Sequence, residues 1–142
     1  MKTTLADVLS SLPILFATLM LAILFLQSGA DKVFDFGGNL DWLKGHFGKT
    51  FMAPMVPVLL VVLTVMELAT GVVAVIGLIS FLFTGGFGVI FAASVIAATT
   101  FLALFFGQRI AKDYPGAAVI VPYFILTLGL MYLAYNRLAG HQ

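Results

Sequence analysis

A chain of 142 residues that is 62% hydrophobic and only 9% charged has too little polar surface for a soluble globule, in which about 25% charged residues is usual. Seven lysines and arginines against six aspartates and glutamates give a formal net charge of +1. That balance excludes the basic surface of a nucleic-acid binder and a polybasic lipid-binding tail.

The charges leave three long gaps: Asp7 to Asp31, Lys49 to Arg109 with Glu67 alone inside it, and Asp113 to Arg137. Each is at least as long as a bilayer crossing, roughly 20 residues at about 1.5 Å rise. Cysteine is absent, which removes disulfides, thiol redox chemistry, iron–sulfur clusters and cysteine zinc sites.

The hydropathy predicts four spans within a single domain covering residues 1–142. The first covers 12–30, and a polar turn through Ser28 and Gly29 carries it towards Lys32. Its charged start and the small residues Ser28-Gly29-Ala30 imitate a signal peptide, but Asp7 in the leading segment argues for a retained helix. A long connection follows, in which Leu40, Leu43, Phe47 and Phe51 recur at helical spacing beside Trp42. Two readings of it are open: a short amphipathic helix lying at the membrane interface, or a loop folded back to cap the bundle.

Span two covers 55–79 and span three 87–107, joined by the uncharged segment Ile79 to Gly86. Span four covers 117–136 after a charged connection with Arg109, Lys112 and Asp113, where Arg109 and Asp113 have the spacing of an i, i+4 pair. Pro13 and Pro57 fall in first helical turns, where a missing N–H costs little. Pro122 lies deeper, so span four either starts later or bends there. Hydrocarbon requires each segment to satisfy its own backbone, and the spans are too long for barrel strands, so all four are helices. The expected fold is all-α: an antiparallel four-helix transmembrane bundle with a short interfacial helix between helices 1 and 2. Gly71, Gly77, Ala93, Ala97 and Gly107 are the expected packing positions.

An antiparallel arrangement brings the end of span one (Gln27, Ser28, Asp31, Lys32, Asp35) and the end of span three (Gln108, Arg109, Lys112, Asp113) to one membrane face. A polar headgroup would meet that face, which the positive-inside rule turns towards the cytoplasm. Glu67 is the sharpest feature. It lies about twelve residues into span two, about 18 Å from either end, where a carboxylate must face the bundle interior or water. Thr70, Gly71, Ala74 and Gly77 share its face, and Thr18, Ser94, Thr99, Thr100 and Thr127 lie at comparable depth as candidate hydroxyl partners. With no cationic side chain placed at that depth, the expected state is a protonated, hydrogen-bonded acid.

Catalytic and metal sites are not expected. His46 lies in the long connection and His141 in the tail, and Gly85-Gly86-Phe87-Gly88 lacks the lysine of a phosphate loop. Tyr114, Tyr123, Tyr132, Tyr135 and Trp42 read as an interface belt.

Phe25, Ser28, Gly29, Lys32 and Asp35 resemble the motif that ends the first helix of DoxX-type membrane proteins, and Glu67 with Gly71 and Gly77 resembles their second-helix pattern. The resemblance covers nearly the whole chain. It implies a bacterial inner-membrane protein that serves as a non-catalytic accessory subunit of a larger, redox-linked membrane complex. The alternative is a subunit that itself binds a quinone or another amphiphile, including a lipid, with no intrinsic cofactor. The resemblance marks Ser28, Lys32 and Glu67, and the polar face adds Gln108 and Arg109 as ligand-binding candidates. Two departures point away from redox chemistry by this chain alone: the absent cysteines, and the absence of histidine in Phe106-Gly107-Gln108-Arg109.

Overall fold

The computed structural model describes residues 3–140; Lys2 and His141 lie outside the described residues. Six α-helices follow in order: α1 Leu5–Ser10, α2 Leu12–Phe34, α3 Phe36–His46, α4 Val56–Thr84, α5 Gly88–Ile110 and α6 Tyr114–Ala139, with a short 3-10 turn at Ala53–Met55. Helices α2, α4, α5 and α6 are each long and apolar enough to cross a membrane. They pack antiparallel, α4 between α2 and α5, and α5 between α4 and α6, while α2 also touches α6. This is a multi-pass helical membrane protein.

The helix ends correct several expectations. α2 runs through Phe34, so the polar segment from Ser28 to Lys32 is helix rather than turn. α4 continues to Thr84, well past the expected end, and stops where Gly85 adopts φ 72°, a left-handed conformation that glycine tolerates best. α6 starts at Tyr114, earlier than expected, because Asp113 caps it by accepting from the Gly116 N–H at 3.0 Å. It then passes through Pro122, which excludes a later start. The short helix α1 was not anticipated. Its signal is the Thr4–Asp7 capping box, in which each side chain bonds the other's backbone.

Between helices there is no hydrophobic drive in lipid, so packing depends on small residues and close approach. Ala22, Ala74 and Ala93 form a tight contact where α2, α4 and α5 meet. Gly77 lies against the backbone of Ile90, and a Cβ there would sit 3.1 Å from its nitrogen. Larger residues fill the centre, where the Phe25 and Phe101 rings are 4.8 Å apart and Leu21, Ile90 and Leu130 are buried. Outward residues such as Phe16, Ile23, Val65, Leu102 and Ile125 are apolar and exposed, as a lipid-facing surface requires.

The long connection realises parts of both readings. α3 is a helix, but it ends at His46 and does not reach Phe51. Leu40 and Leu43 pack on a cluster of Phe47, Met52 and Val56, capping the bundle, while Trp42 and Phe51 stay exposed.

Candidate functional site

Five residues were singled out from the sequence: Ser28, Lys32, Glu67, Gln108 and Arg109. Three of them meet. Ser28 Oγ–H donates to Glu67 Oε2 at 2.8 Å, and Lys32 Nζ donates to Ser28 Oγ at 3.0 Å. Lys32 Nζ also lies 3.0 Å from Glu67 Oε2, which closes a triangle around one carboxylate oxygen. Glu67 is buried, with 2% of its side chain exposed against 16% for Lys32.

This overturns the expectation that no cationic side chain reaches Glu67. The expectation compared positions along the helix axes and neglected side-chain direction. Helical side chains lean towards the N-terminus of their own helix. In antiparallel α2 and α4, the Lys32 stem therefore leans into the bundle while Glu67 leans out towards the same face, and the two converge. The expected hydroxyl partners do not reach Glu67: Thr18, Thr99, Thr100 and Thr127 each donate to the carbonyl four residues earlier, Ser94 donates to that of Phe91, and Thr100 also lies 3.3 Å from the Thr70 hydroxyl of α4.

The ion pair needs α2 and α4 close together, and two glycines flank it. Gly29 lies against Leu68, and Gly71 against Leu26, with hypothetical Cβ atoms 2.6 and 2.7 Å from those leucine side chains. The expected face of Thr70, Gly71, Ala74 and Gly77 is buried with Glu67. Gly107 departs from its expected role. A Cβ there would meet only the Phe47 ring at an ordinary 3.5 Å, and Gly107 lines a cleft instead.

That cleft, of about 200 Å³, opens above the ion pair between α2, α3, α4 and α5. Its polar lining is Lys32, Asn39, Trp42, His46 and Gln108. His46 Nε2 lies 2.7 Å from Gln108 Oε1, a bond that requires the ring N–H to be the donor, and 3.7 Å from Asp113 Oδ2. Trp42 stacks on His46 at 4.4 Å, and Asn39 donates to the Asp35 carbonyl at 2.8 Å and ties α3 to α2 through the Asp31 carboxylate at 3.4 Å. A second, apolar groove of about 250 Å³ shares Leu43, Phe47, Leu63, Ala103 and Gly107 with the cleft and extends along Val56, Leu59, Met66 and Phe106.

Gln108 thus joins the site, but Arg109 does not. Its guanidinium sits 4.4 Å over the Tyr114 ring on the exposed side. The expected Arg109–Asp113 pair is replaced because Lys112 takes φ 60°, which breaks the helical spacing and turns Asp113 into the cap of α6. His46, Trp42 and Asn39 were missed as site residues. The i, i+4 spacing of Trp42 and His46 was the available signal, but their partner Gln108 comes from a distant helix. Among the described residues no three His, Asp or Glu side chains converge as metal ligands.

Asp113 gives a direct test of the local geometry. Asp113→Ala is expected to lower stability by about 1 kcal/mol through the lost cap, whereas Asp113→Asn, an equal cap, should stay near wild type. Equilibrium unfolding in mixed micelles reads the difference, and equal losses in both variants would contradict the capping role.

Compared with protein-family models, curated proteins and solved structures, the chain matches none.

Proposed function

We propose that this protein is a small DoxX-like membrane subunit that holds an amphiphile, its head in the polar cleft and its tail along the adjoining apolar groove. The observation that carries this reading is the shared wall. A donor-rich cleft and an apolar groove of similar size meet along Leu63, Ala103 and Gly107, which suits a molecule with one polar and one greasy end. The reading is also supported by Ser28, Lys32 and Glu67: the residues that carry the family resemblance are the ones that come together beneath the cleft. A membrane quinone has the required build and is the ligand proposed for a redox-linked complex, with this chain supplying a binding site and a partner subunit the chemistry.

Gly107→Phe tests it. The ring would fill the shared wall, since only Phe47 approaches that position. Purified in mild detergent, the wild-type protein should carry an amphiphile in near-equimolar amount in its lipid extract, and the variant should lose it while remaining folded. Equal recovery from both proteins would refute the assignment of the cleft.

A further inference from the structure

Resting on the amphiphile-binding reading above, we infer that Glu67 sets the headgroup preference of the cleft: by neutralising Lys32 it favours an uncharged, hydrogen-bond-accepting headgroup of the carbonyl class over a phosphate.

The chemistry of the lining leads there. Gln108 spends its carbonyl oxygen on His46, which leaves its amide N–H groups as the open valence, and Trp42 in the same lining carries an indole N–H, while Asn39 gives its amide N–H groups to Asp31 and Asp35. Lys32 has three N–H groups and gives two to Ser28 and Glu67, so one remains. Open donors select a ligand that accepts. Charge then decides which acceptor. Lys32, the single lysine or arginine in the lining, lies 3.0 Å from the Glu67 carboxylate, so the pair presents little net charge. The Asp113 carboxylate lies 3.7 Å from His46 at the rim. Arg109 is stacked on Tyr114, while Lys44, Lys49 and Lys112 are exposed and outside the lining. A phosphate entering here meets one already paired ammonium, with the Glu67 carboxylate directly behind it and the Asp113 carboxylate beside His46. A carbonyl takes the same donors without that repulsion. Preference against the anion is thus built from a repulsive element as well as from matching donors.

Trp42 is the sole tryptophan and lines the cleft, so its fluorescence reports occupancy. The full chain in uncharged detergent is titrated with methyl decyl ketone and with decyl phosphate, which share a tail and differ in headgroup. Wild type should bind the ketone about tenfold or more tightly over the phosphate, and Glu67→Gln, which frees Lys32, should reverse that order. The double variant Lys32→Met with Glu67→Gln carries neither charge, so it remains informative if the single variant folds poorly, and it should keep the ketone preference. A wild-type preference for decyl phosphate, or the same preference in wild type and Glu67→Gln, would overturn the role of Glu67 while leaving amphiphile binding intact. A ketone preference lost in the double variant would overturn it too. If neither probe changes Trp42 fluorescence in any of the proteins, both this role and the amphiphile-binding reading fail.

Discussion

Lys32→Met is expected to destabilise the bundle by up to about 3–5 kcal/mol, because it leaves Glu67 between helices to bear an uncompensated charge or to take up a proton. Glu67 has 2% of its side chain exposed, so it cannot turn to water without displacing a neighbour. The reverse change should cost less. Glu67→Gln keeps a hydrogen-bond acceptor for Ser28, and Lys32, near the end of α2, has a long stem on which its ammonium can snorkel to the interface. Loss of a charge-assisted bond of this kind is worth about 1.5–3 kcal/mol. Replacing both charges, Lys32→Met with Glu67→Leu, should fall near wild type, since apolar pairs of similar volume replace buried ion pairs at little cost. Unfolding by graded denaturing detergent should therefore rank Lys32→Met as the least stable, with non-additive losses across the cycle. Additive and equal losses would mean that the two charges do not interact.

Gly71→Ala is the second large effect. An ideal Cβ at this position falls 2.7 Å from the Leu26 side chain and 3.0 Å from its backbone nitrogen. The side chain can rotate, but the backbone can move only if α2 shifts away from α4. Overpacking of this kind costs about 1–3 kcal/mol. The same displacement would pull Ser28 and Lys32 off Glu67, so the loss should shrink when Gly71→Ala is made in the background lacking both charges. Gly129→Ala is the control, since nothing lies within 4 Å of its Cβ inside α6, and it should be neutral or stabilising by up to about 1 kcal/mol. Equal behaviour of the two alanine variants would remove close helix approach as the reason for the glycine.

The four crossings were legible because a charge in hydrocarbon is costly enough to leave gaps that can be counted. Their ends were less legible, since hydropathy marks immersion in lipid and backbone geometry marks the end of a helix. Ser28 to Phe34 remains helical after the apolar signal fades, Ile79 to Thr84 carries α4 on to its glycine stop, and the ends come at Asp35 and at Gly85 with its positive φ. The inward direction of Glu67 followed from the cost of the alternative. Its partner did not, because Lys32 belongs by sequence to the membrane face and reaches Glu67 only through the lean and length of its side chain. Gln108 was one of a set of polar residues at a helix end and lines the cleft, whereas Arg109 beside it lies outside that lining, stacked on Tyr114. One position along a helix rotates a side chain by about 100°, enough to separate a cleft from the exposed surface. His46 and Trp42 depend on how α3 docks on α2 and α4, which brings His46 within reach of Gln108 and which periodicity within α3 does not determine.

The ion pair between α2 and α4 is the central claim, and one distance tests it most directly. Glu67 is the sole glutamate, so a glutamate label marks a single carboxylate. Solid-state magnetic-resonance recoupling between that carboxylate carbon and labelled lysine ammonium nitrogens, in protein reconstituted into bilayers, should show one strong contact that vanishes in Lys32→Met, in keeping with the 3.0 Å separation of Nζ and Oε2. A carboxylate without any lysine contact, with the Lys32 ammonium mobile in the headgroup region, would contradict the account.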